Sequence, residues 1–295
     1  RMGRIAAGEI HFYLNEIAVP NDPRRFNLQP DRMCAENNVD LHSPRISGQV
    51  EELQVWFRQD PTAGDGSAGI AGLATTNAPA EGAPPANANT LPERHFHATG
   101  RLLQARIVLG DRAADLDELI LSDHVELIET RTVAADDKPV VVRGECIHVK
   151  DASKPHAAVG VKGIPARFEG RGLVLTGTNI NLNRGTNLLW IDGTGWMDLP
   201  PLKRDLQGRP SASNEPMRVY WDDGMKFDGR TAAFNGKVRA VSSLVQLRTD
   251  TLEASLDRTV DFSQADQLQD SATPFNLHEI RCTGAVSMES RIVEG

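Results

Sequence analysis

Two ten-residue segments of the chain align without a gap, and this repeat constrains the fold more than any other feature. They are residues 168–177 (FEGRGLVLTG) and 227–236 (FDGRTAAFNG). Each reads phenylalanine, an acid, glycine and arginine, then a stretch suited to a β-strand, then a closing glycine. A phrase repeated in this way indicates a repeated structural unit. We therefore predict that Gly177 and Gly236 occupy equivalent positions in successive units.

Weaker copies, in which a glycine precedes alternating apolar residues, occur along the rest of the chain. Together with Gly177 and Gly236, they recur at irregular intervals of roughly 35 to 60 residues, the range expected of supersecondary repeats. Their uneven spacing predicts loops of unequal length on a regular frame of strands. Glycine before a strand is also ordinary turn chemistry, which remains an alternative explanation for these copies. They begin at Gly8, Gly48, Gly100, Gly144 and Gly284.

Strand patterns dominate between the glycines. Leu252, Ala254 and Leu256 alternate with polar residues, as in a sheet with one covered face and one wet face. Residues 115–129 contain a weak helical stretch, but their alternation favours a strand, a turn and a second strand. The sequence thus predicts an all-β fold of repeated antiparallel strands.

Composition divides the chain into segments. Residues 60–93 consist mostly of small and polar residues, which bury too little apolar surface to offset the entropy lost on ordering. We predict a disordered insertion there, between an N-terminal β segment (1–59) and a central β segment (94–199). A C-terminal β segment (216–295) follows a proline-rich loop. Both ends have strand patterns, so we expect a piece of a longer polypeptide, with any signal peptide or membrane anchor outside it.

Bulk properties argue against several classes of protein. A chain of 295 residues with 5% aromatic and 40% hydrophobic residues is poor in core material for a compact enzyme and favours an elongated shape. The formal charge of −8, without a run of basic residues, argues against nucleic-acid binding. No stretch approaches the roughly 20 apolar residues that span a bilayer.

Few residues are arranged as catalysis requires. The sequence has no nucleophile elbow, P-loop or dinucleotide-binding fingerprint. His95 and His97 would share one face of a strand and could bind a metal together, although this pattern is more often plain surface. The three cysteines lie too far apart for a zinc ribbon. We therefore predict no catalytic residue, no metal site and no cofactor.

Two tryptophans lie in strands that end at Asp-Gly or Asp-Asp-Gly. These are Trp190 and Trp221. Their rings either pack in the core at a strand end or form part of a wide apolar face offered to an acyl chain. The second explanation requires a sheet with more interior than its own side chains fill.

Residues 234–257 (FNGKVRAVSSLVQLRTDTLEASLD) resemble the OstA-like/LptA family of lipopolysaccharide-transport proteins. That family repeats a phrase of Gly-x-Val, a short apolar strand and then x-Asp-x-Leu-x-Ala. The clear resemblance covers residues 216–260, and looser copies of the phrase occur near Gly48, Asp123 and Gly284.

The resemblance implies a twisted, elongated β-jelly roll of antiparallel strands, in one or more segments, in the periplasm of a Gram-negative-type cell. Its sheets would enclose an apolar groove for the acyl chains of lipopolysaccharide or a similar lipid. Open end strands would pair with other jelly rolls, since unpaired edges are otherwise liabilities. The expected function is non-enzymatic lipid transport in outer-membrane assembly. The candidate groove residues are Leu173, Leu175, Ile180, Leu182, Leu188, Trp190, Phe227, Phe234, Val238, Leu252 and Leu256.

Two other functions remain open from the sequence. A structural β-solenoid would polymerise through its end strands and have a sealed interior of regular rungs. A carbohydrate-binding β-sandwich would place exposed aromatic rings and carboxylates in a cleft. The alternation that selects the eleven groove residues does not distinguish an open groove from a sealed core. The length of the chain, its insertion and its long loops depart from the short family members and suggest a larger relative.

Overall fold

The fold consists of β-strands joined by turns and loops. A computed structural model of the chain describes residues 4–19, 22–43, 46–60, 95–110, 114–131, 139–170, 173–199, 216–243, 245–263 and 277–290. Strands make up 81% of these residues and no helix occurs among them. The predicted all-β class is therefore confirmed.

The chain divides into two compact units. The first unit comprises Arg1–Ala135 and His148–Ser153, and the second comprises Asp136–Ile147 and Lys154–Gly295. The division falls within the segment 94–199 that the sequence analysis treats as one. Of the predicted insertion at 60–93, only Asp60 belongs to the described residues.

The first unit is a set of long paired strands. They are β1 (Arg4–Ala6), β2 (Glu9–Val19), β3 (Asp22–His42), β4 (Ile46–Gln59), β5 (His95–Leu109) and β6 (Ala114–Arg131), and β7 (Val141–Lys150) contributes residues to both units. Strand β3 pairs with β1 and β2 on one side and with β4 on the other, and β4–β5–β6 continue the sheet. Residues 115–129, predicted as two strands, belong to the single strand β6.

One strand pair departs from the predicted antiparallel order. Strands β4 and β5 are parallel, with Ile46 opposite Phe96 and Gln59 opposite Leu109. A parallel pair needs a connection long enough to carry the chain back along the strand. The segment 60–94 makes this connection. Its length therefore has a topological role in addition to its unusual composition.

The second unit is an antiparallel meander. Its strands are β8 (Ala158–Gly170), β9 (Leu173–Asn183), β10 (Leu188–Asp192), β11 (Gly195–Leu199), β12 (Met217–Trp221), β13 (Gly224–Phe227), β14 (Thr231–Val241), β15 (Val245–Leu256), β16 (Leu277–Thr283) and β17 (Ser287–Ser290). Six of them pair in a closed ring, β9–β10–β13–β14–β12–β11–β9. Within this ring β10 and β11 follow each other along β9, and β12 and β13 follow each other along β14. The ring is therefore built from strands that bend halfway along their length.

The bends lie side by side on neighbouring strands. Gly193 N donates to Asp223 O at 2.9 Å, and Asp222 N donates to Gly236 O at 2.7 Å. Gly236 has a φ of 83°, and a Cβ there would lie 2.5 Å from Asp223 Cγ, so only glycine fits. On the next strands, Ala285 N donates to the Asp250 carboxylate at 3.0 Å. We call this line of bends the corner of the second unit.

The first unit contains bends of the same kind. Asn37, Asn38, Asp123 and His124 all have φ between 55° and 66°. Asparagine and aspartate tolerate this left-handed backbone better than most residues. Arg101, beside the bend of β5, donates from Nε to Asp123 Oδ2 at 2.6 Å. Polar residues thus form the bends of the first unit, whereas the bends of the second unit contain both polar residues and glycine.

Apolar side chains form three rows across the second unit. Residues directly opposite each other on paired strands share a face. Row 1 is Phe168–Leu175–Met197–Val219–Ala240–Leu247–Met288. Row 2 is Val161–Ile180–Ile191–Met225–Phe234–Leu252–Cys282, and row 3 is Val159–Leu182–Leu189–Phe227–Ala232–Ala254–Ile280. Row 1 lies on one side of the corner, and rows 2 and 3 lie on the other.

The two aligned segments are not structurally equivalent, so the predicted repeat is wrong in this respect. Both are hairpins, but Phe168 pairs with Leu175, whereas Phe227 pairs with Ala232. The first hairpin turns beyond row 1 and the second beyond row 3, so the two turns lie on opposite edges of the sheet, at opposite ends of the strands. Gly236 lies in the corner with positive φ, whereas the positive-φ residues do not include Gly177. The shared phrase reflects similar hairpin chemistry rather than a translated unit.

The parallel pair predicts a minimum length for the connection between β4 and β5. Strand β4 has 14 residues, so the return path is at most about 45 Å, or about 13 extended residues. Deleting residues 64–79 should leave the melting temperature nearly unchanged, because closure entropy varies slowly with loop length. Deleting 64–91 leaves a connection that reaches only about 25 Å and should lower the melting temperature by several degrees. Equal melting temperatures for both deletions would contradict the parallel pairing.

Candidate functional site

The candidate groove residues of the second unit form a packed core. Phe234 is 0% exposed, Leu252 1% and Leu175 2%, and Val238 and Ile180 are also buried. These side chains come from rows 1 and 2 or from the corner. In this arrangement they leave no open face for an acyl chain.

The remaining candidates lie in three settings. Leu182, Phe227 and Leu256 are half-buried, the first two in row 3. Leu188 and Trp190 lie on the opposite face, where Trp190 pairs with Asn181 and Lys226. The alternation of β10 separates them from the other candidates, so they do not line the same surface. The side chain of Leu173 is outside the described part of the chain.

Trp221 joins the two sides of the corner. Its ring lies 5.4 Å from the ring of Phe234, and both side chains are almost fully buried. Trp221 Nε1 donates to Gly193 O at 3.0 Å, so the buried indole is satisfied. A Cβ on Gly195 would lie 2.5 Å from this ring. Trp221 therefore packs in the core, the first of the two explanations that the sequence leaves open.

A short segment, residues 260–262, covers the middle of row 3. The Phe262 ring packs edge-on against Phe227 at 5.9 Å. Asn187 holds this segment, since its Oδ1 accepts from Phe262 N at 2.7 Å and its Nδ2 donates to Val260 O at 2.8 Å. Arg184 Nε donates to Phe262 O at 2.9 Å. These contacts make residues 260–262 part of the folded core.

Apolar residues are instead exposed on the hairpin β2–β3 of the first unit. Ile10 and Phe12 pair with Ala35 and Met33, whose side chains are buried. The exposed side therefore continues the inner face of the sheet. Phe12 is 63% exposed.

The same face extends towards the tip of the hairpin. Register places Leu14 opposite Pro30 and Glu16 opposite Leu28, past a bulge in β3. Leu14 is 43% exposed, and Leu28 and Phe26 are also exposed. Glu16 is the one charged residue of β2 on this stretch of the face. We call Ile10, Phe12, Leu14, Phe26 and Leu28 the apolar hairpin face.

This apolar surface lies at an open edge of the sheet. Among the described residues, β3 is the only strand that pairs with β2. The other edge of β2 therefore presents backbone donors and acceptors for a further strand. Sequence patterns do not single out this face, because alternating apolar residues occur in many strands of the chain.

A charged cluster lies on the outer face of the first unit. Glu118 Oε2 is 2.6 Å from Arg106 Nη2, and Glu118 Oε1 is 2.6 Å from His148 Nε2. The hydrogen bond with His148, followed by the charge of Arg106, lowers the pKa of Glu118 below its ordinary value of 4.5. The cluster ties β5, β6 and the end of β7 together.

The described residues contain no cluster of three or more metal-ligating side chains. His95 Nδ1 lies 2.8 Å from Thr130 Oγ1, and His97 Nδ1 lies 3.2 Å from Ser47 Oγ. Each histidine thus has its own hydroxyl partner. Within the described ranges there is also no helix with the length and apolarity needed to cross a membrane.

Comparison with known proteins found no match: no family model, curated protein or solved structure is similar to this chain. Function is therefore inferred from the surfaces of the two units.

The charged cluster predicts a specific pH dependence of stability. Since the folded state lowers the pKa of Glu118, the cluster stabilises the fold above pH 4.5, and this contribution is lost as the pH falls through the lowered pKa. Urea unfolding of Glu118→Gln at pH 7 should show a loss of about 1 kcal/mol, because the three side chains are partly exposed. At pH 2.5 the loss should be near zero.

Glu51→Gln provides a control, because Glu51 is exposed and no charged partner is found for it among the described residues. Its effect should be small at both pH values. A loss for Glu118→Gln that is the same at pH 7 and pH 2.5 would show that the carboxylate charge is unimportant.

Proposed function

We propose that the protein is a non-enzymatic lipid-handling protein of the periplasm, of the lipopolysaccharide-transport type, that shields acyl chains on their way to the outer membrane. In this proposal the finer architecture is an OstA-like jelly roll. The observation that carries the proposal is the apolar hairpin face, an exposed surface continuous with the inner face of the first unit's sheet. The bent strands of both units are compatible with this architecture.

Position and chemistry both support the hairpin face as the acyl-chain site. Single exposed apolar residues are ordinary, but five that share one face of one hairpin form a patch of the kind that marks binding sites. Each buried methylene contributes about 0.8 kcal/mol, so a chain of ten buried methylenes gains about 8 kcal/mol before the costs of binding. This is enough for reversible capture without any covalent step.

The proposal relocates the binding surface relative to the sequence-based list. The candidates in the second unit are packed against one another, as shown by Phe234 and Leu252. A packed core cannot admit a chain without losing its own contacts. In the first unit the inner face is exposed on the hairpin β2–β3, so we propose that the groove lies there.

The open edge of β2 favours a second function alongside the first. An edge strand with unpaired backbone groups can be extended by a strand from another molecule. In the lipid-handling proposal this edge joins another jelly-roll module and lengthens the apolar path. In the alternative proposal, a structural protein polymerises through the same edge without carrying lipid.

Two substitutions on opposite faces of β2 test the lipid proposal. Leu14 and Ile17 are 43% and 44% exposed, but Leu14 lies on the apolar hairpin face and Ile17 on the other face. We expect Leu14→Asp to weaken binding of a fluorescent long-chain fatty acid by about tenfold or more, since a charge replaces apolar contact. Ile17→Asp should bind within about twofold of the wild type. Both side chains are exposed, so neither variant should unfold.

Displacement of the bound probe by lipopolysaccharide would support the transport class. Equal loss of binding in both variants, or wild-type protein that does not bind the probe, would contradict lipid handling at this face. Wild-type protein that forms concentration-dependent polymers without binding the probe would favour the structural alternative.

A further inference from the structure

An open groove of about 850 Å³ follows the corner of the second unit. It is lined by corner residues from successive strands, including Thr178, Thr194, Asp222, Lys237 and Asp250. Its volume lies in the range of small-molecule sites, about 300–1,000 Å³. The packed rows of the same unit contribute little to it, and neither the lipid proposal nor the polymerisation alternative uses it.

A further row of side chains, on the face opposite row 1, forms one wall of the groove. Trp196 pairs with Tyr220, Tyr220 pairs with Arg239, and Arg239 pairs with Arg248. Each of these residues alternates with a member of row 1, so the wall faces away from the core. Adjacent strands lie about 4.8 Å apart, which spaces the side chains regularly along the groove. We call this row the outer wall.

Arginines stack on the aromatic rings of the outer wall. The guanidinium of Arg218 lies 4.0 Å from the centre of the Trp196 ring, and that of Arg239 lies 4.5 Å from the centre of the Tyr220 ring. Stacking fixes the plane of a guanidinium and leaves its N–H groups directed sideways. Such an arrangement prepares an arginine to bind an oxyanion.

The cations in and beside the groove differ in whether a carboxylate already pairs with them. Arg218, which stacks on Trp196 but does not line the groove, donates from Nε and Nη2 to the two oxygens of Asp198, at 2.6 and 2.7 Å. In contrast, the structure shows no carboxylate partner for Lys237 or Arg239 within its described ranges. Two unbalanced cations on one strand, two residues apart, are notable in a chain with a formal charge of −8.

The acidic residues of the groove offset these cations only in part. The Asp250 carboxylate accepts from Ala285 N at the edge of the lining. Asp222 is exposed beside the bend of the neighbouring strand. Three cations (Lys237, Arg239 and Arg248) and two aspartates line the groove, so the lining carries one excess positive charge.

We propose that this groove binds a small saccharide that carries phosphate or carboxylate groups, with Lys237 and Arg239 as the oxyanion-binding residues. The aromatic wall and the threonine-bearing bends suit a polar ring, and charged donors bind oxyanions roughly twice as strongly as neutral ones. The same chemistry occurs in the head group of a glycolipid and in a free acidic oligosaccharide. This proposal does not depend on lipid handling by the first unit.

Matched oligosaccharides test the site directly. The full chain should bind a fluorescently labelled tetramer of galacturonic acid and not the neutral tetramer of glucose, and raising the salt concentration should weaken binding. Lys237→Gln and Arg239→Gln should each reduce the affinity by about tenfold, as expected for loss of a charge-assisted contact. Arg239→Lys keeps the charge but loses the stacked plane and should have an intermediate effect.

Lys226→Gln is the control, because Lys226 is exposed on the outer face of the same unit but does not line the groove. It should leave the affinity within about twofold of the wild type, which separates a site from a general effect of net charge. Equal weakening by Lys226→Gln, or equal binding of the neutral tetramer, would overturn the proposal. Since Lys237 is exposed, its variant should melt at the wild-type temperature.

A further comparison distinguishes the source of the saccharide. A phosphorylated glycolipid in detergent micelles and its deacylated sugar phosphate should both compete with the galacturonate tetramer. Tighter competition by the glycolipid identifies a head group as the natural ligand, whereas equal competition identifies a free saccharide. Failure of both to compete would overturn the assignment of the site to an anionic saccharide.

Discussion

The bend in successive strands is the constraint on which the second unit depends. Backbone hydrogen bonds join neighbouring bends, as between Gly193 and Asp223 and between Asp222 and Gly236. Because the bends are aligned, row 1 lies on one side of the corner and rows 2 and 3 on the other. The contact between Trp221 and Phe234 then joins the two sides into one core. A sheet of straight strands would leave one of its apolar faces uncovered.

The two units use this geometry with different results. In the second unit most residues of the three rows are buried, and Phe262 packs against Phe227 in the middle of row 3. In the first unit the inner face of the sheet is uncovered at β2, so Phe12 and its neighbours are exposed. We therefore propose apolar binding by the first unit. The second unit has a packed core and, along its outer wall, a polar groove.

Some of this organisation could be predicted from the sequence, and the limits have physical causes. The alternation of Leu252, Ala254 and Leu256 correctly predicts a strand with one covered face. Trp190 shows the limit of such predictions, because period-two alternation separates two faces but does not tell which of them is the inner one. The sequence predicts a turn at Asp123 and His124, where the structure has a bend within one strand. Polar residues with a left-handed backbone occur both in turns and in such bends, so the two are not distinguished by local sequence. The parallel pairing of β4 with β5 follows from long-range topology, which local patterns do not encode.

The most direct test of the account is to map where an acyl chain lies on the protein. A fatty acid with a photoreactive group near its methyl end can be crosslinked to the full chain and the modified residues identified by mass spectrometry. The account predicts modification on the apolar hairpin face, at residues such as Phe12, Leu14 and Phe26, and not at Phe234 or Leu252 of the packed core. Modification concentrated in rows 1 to 3 of the second unit would contradict it, because it would show that this core opens to admit the chain.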